Sequence, residues 1–148
     1  MEWRRDEFWI TDDLDRLNLL VVGDLLRETY WAADRTQETV AKSARNSFNL
    51  GLFRCDEQIG YFRLITDKTS YGYLCDVVVT EKWRGKGLGK WMLECILNHP
   101  ELKTCRIDLV TKDAQEFYRQ YGFGPHRFEH MVRYADDYAG GSDSATAS

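Results

Sequence analysis

The segment Val77-Val78-Val79-Thr80-Glu81-Lys82-Trp83-Arg84-Gly85-Lys86-Gly87-Leu88-Gly89-Lys90 constrains the fold of this chain more than any other. Its β-branched start reads as a buried strand, and its end opens a helix with Leu88, Trp91, Met92, Cys95 and Ile96 on one side. Glycines at alternate positions join the two. They let the main chain take left-handed angles and approach a ligand closely, so that N–H groups of the turn and of the first helical residues converge on anionic oxygens. Arg84, Lys86 and Lys90 add positive charge at the same end. A tight strand-to-helix turn by itself needs fewer glycines.

Two familiar phosphate loops fail on spacing. A P-loop requires Ser or Thr after its Gly-Lys pair, whereas Gly89-Lys90 is followed by Trp91. A dinucleotide fingerprint requires a third glycine where this chain has Lys90, and a parallel unit where antiparallel strands are expected.

Those strands are Phe48 to Arg54, Ile59 to Thr66 and Tyr71 to Thr80, joined by short polar connections into an antiparallel meander whose third strand lies near the sheet centre. Ahead of them, Phe8-Trp9-Ile10 reads as a strand. Leu17 to Trp31 reads as an amphipathic helix with Val22, Leu25, Leu26 and Tyr30 on one face, and Thr36 caps a second helix with Val40, Ala41 and Ala44 inward. After the glycine turn, the helix runs to His99 and is followed by Pro100. Next come a strand at Thr104 to Val110 and a helix whose capping box is Asp113 with Glu116. Ala114, Phe117, Tyr118 and Tyr121 line that helix's inner face, Gly122 closes it, and a last strand covers Arg127 to Tyr134. The expected order is β-α-α-β-β-β-α-β-α-β.

A length of 148 residues suits one mixed α/β domain, 1–138, with a flexible tail at 139–148. Hydrophobic residues at 43% supply a core without metal or disulfide staples. Net charge of -4 lacks the basic face that nucleic acid requires. Cys55, Cys75, Cys95 and Cys105 are far apart in apolar segments and read as buried, reduced thiols. No stretch approaches the ~20 apolar residues of a membrane span, and the charged start is unlike a signal peptide, so no membrane partner and a cytoplasmic location are expected.

Arg84, Gly87 and Gly89 fit a pattern of Gln or Arg, two residues, Gly, one residue, then Gly or Ala; Thr111-x-x-Ala114-x-x-x-Tyr118 and Tyr121-Gly122-Phe123 follow in order. This set resembles the GNAT superfamily of N-acetyltransferases over roughly Ile59 to Phe123. The Tyr30-Trp31-Ala32 and Asn46-Ser47 segments resemble its small bacterial members. The resemblance implies a central, mostly antiparallel, splayed sheet flanked by helices, and acetyl-CoA as cofactor. Residues Arg84, Gly85, Lys86, Gly87, Leu88, Gly89 and Lys90 would hold its diphosphate, and Val77, Val78 and Val79 its pantetheine arm. Ala114 and Thr111 would line the same arm, Thr111 standing where the family usually has Asn. A hydroxyl there offers one donor rather than two.

The implied reaction is direct acetyl transfer to a primary amine of a small molecule or peptide. Such an amine, with an ordinary pKa near ~10.4, must lose a proton before it attacks. Asp76 is the nearest carboxylate for that task, with Glu81 next, and Tyr118 matches the family's general acid. Tyr30, Trp31, Phe48, Tyr61 and Tyr71 are candidates for the acceptor site, since a cationic amine can lie over such rings. A non-catalytic acyl-CoA-binding or regulatory module is the alternative. Neither the amine nor a choice between monomer and homodimer is legible, and no metal is expected.

Overall fold

The computed structural model describes residues 1–135. Strands β1 (Glu2–Arg5), β2 (Phe8–Thr11), β3 (Phe48–Arg54), β4 (Glu57–Thr66), β5 (Tyr71–Val79) and β6 (Arg106–Leu109) lie side by side in chain order. The first five are antiparallel neighbours, and β6 joins β5 in parallel. The expected meander is present, with β5 next to last in the sheet rather than at its centre.

The strand expected at Phe8 to Ile10 is the second arm of a hairpin. Asp6 takes φ 56° in the turn, so that Trp3 pairs with Ile10 and Arg4 with Trp9. The first helix, α1 (Leu19–Arg27), is shorter than the expected Leu17 to Trp31. Asn18 caps its start by accepting from the amides of Leu20 and Val21. At its other end the Thr29 hydroxyl donates to the Leu26 carbonyl at 2.6 Å and accepts from Ala32 N–H, which turns the chain away. Helix α2 (Gln37–Arg45) begins as expected, with Thr36 Oγ1 accepting the Thr39 amide at 3.1 Å.

Helices α1 and α2 cover one face of the sheet. Val22, Leu25, Leu26, Ala32 and Val40 pack there with Tyr61 and Val78. Helix α3 (Leu88–Leu97) covers the other, placing Leu88, Trp91, Met92, Leu93, Cys95 and Ile96 against Leu50, Leu52, Ile59, Phe62, Leu64 and Leu74. Two bulges set which residue meets which face. Ile59 is extra between the pairs Leu52–Gly60 and Phe53–Gln58. Cys75 is extra between Leu64–Leu74 and Arg63–Asp76. The second bulge keeps Leu74 and Val77 together on the α3 side and turns Asp76 towards α1 and α2, opposite Arg63.

Cys75 and Cys95 are buried as expected, which pushes their thiols up to about 11 and about 12, whereas Cys105 is only half-buried. Cys55 is exposed in the β3–β4 turn at φ 49°, because the apolar run ends at Phe53. Asp113 and Glu116 form no capping box. Thr111 Oγ1 accepts the Ala114 amide at 2.9 Å, ahead of the short helix α4 (Gln115–Arg119), while Glu116 pairs with Arg119. Gly122 closes α4 at φ 88°, as expected. Arg127 to Tyr134 forms no strand: His126 Nδ1 accepts the Phe128 amide at 2.9 Å and curls the segment, leaving Phe128 and Met131 exposed. The expected tail and the end of the domain at 138 lie outside the described residues.

Leu64 is fully buried between β3, β5 and α3, whereas Leu20 on α1 is 65% exposed. Leu64→Ala should lower unfolding stability by about 2–5 kcal/mol in a urea titration. Leu20→Ala should stay within about 0.5 kcal/mol of the parent.

Candidate active site

Beyond β5 the chain makes a tight 3₁₀ turn at Glu81–Trp83, in which the amides of Trp83 and Arg84 bond back to Thr80 and Glu81. The pattern then changes. The amides from Gly85 to Lys90 donate to no described group, and the first to bond back into the helix is Trp91, to the Gly87 carbonyl at 3.0 Å. Gly85 and Gly87 hold φ of 75° and 78°, and Gly87 is the N-cap of α3. A Cβ built on Gly85, Gly87 or Gly89 meets nothing within 4 Å, so the space around these amides is open. Left-handed backbone explains the first two glycines. Gly89 needs no such angle; its bare Cα keeps room beside the first helical amides.

The cations expected here have separate attachments. Arg84 folds back and donates Nε to the Val79 carbonyl at 2.8 Å, closing the end of β5. Trp83 gathers others: Lys82 Nζ lies 5.4 Å and Lys86 Nζ 5.9 Å from its ring centre, and the Arg54 guanidinium 5.0 Å. Lys90 is exposed in the first turn of α3.

Next to this loop the sheet opens. Pairing of β5 with β6 runs from Tyr71–Arg106 to Leu74–Leu109 and stops, so Cys75 to Val79 has no strand on that side. A cavity of about 860 Å³ runs along β6 and is bounded by Leu109, Thr111, Gln115, Tyr118 and Phe123 among others. The Tyr118 ring is buried edge-on against Phe117 and Phe123, at 5.0 and 5.8 Å between centres. Burial pushes its phenol up to about 12, and its hydroxyl has no partner among the described residues. It is therefore a protonated donor at neutral pH. Val78 points into the α1/α2 core and Val77 and Val79 pack towards α3, so that only their main chain faces the opening. Thr111 uses an oxygen lone pair on Ala114 and keeps its own proton.

Asp76 lies at the start of the unpaired stretch and is fully buried. Oδ2 accepts from Arg63 Nε and Arg35 Nη1, each at 2.7 Å; Oδ1 accepts from Arg35 Nη1 at 2.8 Å and Trp31 Nε1 at 3.3 Å. A carboxylate has about four lone-pair sites. All are engaged, so the group expected to act as base presents no free oxygen to an amine. Arg35 and Arg63 carry no local motif; the one signal in the sequence is an arginine inside the apolar run Tyr61-Phe62-Arg63-Leu64-Ile65, which requires a buried partner.

Of the five aromatic candidates, two lie together in the α1–α2 connection beside Asp76. Trp31 touches Asp76. Tyr30 packs edge-on to Trp31 at 5.1 Å and receives Lys112 Nζ at 5.4 Å, bridging the α1–α2 and β6–α4 connections. Tyr61 is on the same face but sealed in, its hydroxyl donating to Asn49 Oδ1. Phe48 belongs to the α3-side core, 4.9 Å from the His99 ring, and Tyr71 stands at the far end of β5 bonded to Asp108. Neither is brought to the opening.

The sequence profile of the acetyltransferase (GNAT) domain matches residues 27–125, from the end of α1 past α4. A solved GNAT-family structure from Xanthomonas campestris pv. campestris, described as an acetyltransferase, is 31% identical, covers 86% of this chain and 93% of its own, and superposes with a TM-score of 0.83. A Gibberella zeae protein named as an acetyltransferase is 28% identical over 78% of each chain. A Deinococcus radiodurans structure shares the fold at a TM-score of 0.68 with 20% identity, covering 90% of this chain and 94% of its own. Glycine loop, opened sheet and relatives agree: this chain is an acyltransferase belonging to the GNAT acetyltransferase family.

Proposed function

We propose that the chain takes an acetyl group from acetyl-CoA and passes it directly to a primary amine of a small molecule or peptide. The observation that carries this reading is the run of unpartnered amides from Gly85 to Lys90, beside a β5 edge that β6 leaves open. Those amides, with Lys86 and Lys90, fit a diphosphate. The main chain of Val77 to Val79, apart from the Val79 carbonyl that Arg84 occupies, suits an extended amide-bearing arm, which would add to β5 as a strand does, with Thr111 and Ala114 across from it. Acetyl-CoA supplies the acyl group as a thioester.

The chain's own contributions are positioning and one proton. Tyr118 holds its hydroxyl proton in the cavity and gives it, or a hydrogen bond, to the departing sulfur. Tyr30 and Trp31 offer ring faces to the amine. With every oxygen site of Asp76 taken, the carboxylate anchors Arg35 and Arg63, and the amine loses its proton to water. That same engagement is what favours the alternative of a binding module without turnover, which release of free thiol would exclude.

Three outcomes test the reading. Gly87→Val, forced into a left-handed angle that costs about 1–2 kcal/mol and intruding on the cradle, should weaken acetyl-CoA binding about tenfold or more by calorimetry. Tyr118→Phe should cut kcat by about 100-fold with acetyl-CoA affinity retained; unchanged turnover would remove Tyr118 from the mechanism. The rate should climb with pH as the neutral amine accumulates. Because the Tyr118 phenol is pushed up to about 12, no descending limb should appear between about pH 8 and about pH 10, where a less buried phenol begins to ionise.

A further inference from the structure

The ion cluster on the α1/α2 face holds more positive charge than negative. Asp76 is the only carboxylate in it among the described residues, and two guanidiniums lie on it. One positive charge is left over. Arg63 is the more enclosed of the two, with 9% of its side chain exposed. Its Nε is spent on Asp76 and its Nη1 on Ser47 Oγ at 3.1 Å, while Nη2 has no partner among the described residues. That nitrogen is not among the buried unpartnered atoms, so it reaches the open side of the side chain, where an anion could accept from it.

Arg63 borders a cavity of about 320 Å³ whose other polar walls are Thr39, Lys42, Ser43, Asn46 and Ser47. No carboxylate lines it. Lys42 is exposed and pairs with no acidic group among the described residues. The cavity adjoins the C-terminal end of α2, where bare carbonyls would repel an anion. Here they are covered. The carbonyl of Lys42 accepts from Asn46 Nδ2 at 2.9 Å, that of Ser43 from Ser47 Oγ at 2.7 Å, and that of Ala44 from Asn49 Nδ2 at 2.8 Å. The exposed wall is otherwise largely apolar, with Ile65 in it, and its charge comes from Arg63 and Lys42, both positive. A hydrogen-bond chain runs from Arg63 through Asp76 to Trp31, one of the two rings proposed to meet the amine.

We infer that this cavity is an anion subsite in which Arg63 and Lys42 receive a carboxylate or phosphate of the acceptor, so that the substrate is a small amine that also bears an anionic group. This deepens the transferase reading and rests on it. Asp76 serves the subsite by fixing the Arg63 guanidinium at Nε and leaving Nη2 to the ligand.

The test compares propylamine, β-alanine and 2-aminoethyl phosphate as acceptors for the full chain, scored by release of free thiol from acetyl-CoA. An anionic acceptor should exceed propylamine in kcat/KM by about tenfold or more. The better of β-alanine and 2-aminoethyl phosphate identifies the anion. In Lys42→Gln and Arg63→Lys the ratio of anionic to neutral kcat/KM should fall towards one, mainly through KM. Equal use of all three amines, or a ratio unmoved in both variants, would overturn the subsite. Arg63→Lys disturbs a buried pair, so Lys42→Gln, on an exposed side chain, decides if the former fails to fold. If none of the amines is turned over, titration with inorganic phosphate and with acetate, followed by calorimetry, judges the cavity separately from the transferase reading: binding that weakens in Lys42→Gln supports it, and absent or unaltered binding refutes it. A missing response to acetyl-CoA would count against the transferase reading alone.

Discussion

Everything at the functional end of this molecule follows from the place where β5 and β6 cease to pair. Two strands joined by regular hydrogen bonds leave no room for a ligand between them, and an unpaired edge in water is an invitation to wrong partners. Here the divergence begins after Leu74 and Leu109, immediately before the residues that lead into the glycine loop. The open edge and the cradle of free amides thus follow one another along the chain, while Tyr118 borders the cavity along β6. Helix α3 is held on its own face by a continuous apolar side, so the start of that helix is fixed relative to the strand end that feeds it. Preorganisation of this kind lets backbone donors act without first having to be ordered.

The cluster around Asp76 works on the other side of the same strand. Removing a carboxylate from water is costly unless its oxygens are fully bonded, and a pair that satisfies itself adds little net stability. Its larger effect is to hold geometry. Trp31 and Arg35 come from the connection between α1 and α2, and Arg63 from β4, so a single buried carboxylate on β5 ties that connection to two neighbouring strands. Nothing in an apolar core would specify the position of that connection as narrowly.

The meander and the main helices were legible because each announces itself locally: polar connections between β-rich runs, a threonine cap, a helical stripe of apolar residues. The glycine loop was legible for the same reason. What escaped was information held between distant residues. Arg63 and Asp76 face each other only because Cys75 is an extra residue in β5, and no local pattern reports a bulge of that kind. Aromatic identity likewise does not reveal which face a side chain meets, so Phe48 and Tyr71 could not be separated from Trp31 by composition. The outer hairpin arm was hidden by charge, since β1 carries only Trp3 inward. At the other end, the alternation from Arg127 to Tyr134 has the pattern of a strand, but Pro125 and the His126 turn precede it and no strand forms.

The bulge at Cys75 also limits how β5 can vary. Side chains alternate between the two faces, so adding or deleting one residue between Asp76 and the loop would exchange the faces of everything beyond it. The glycine cradle would then begin from the wrong side of the sheet. Relatives of this chain can therefore be expected to alter this stretch by an even number of residues, or to carry a compensating irregularity, and its length should drift far less freely than that of the loops around it.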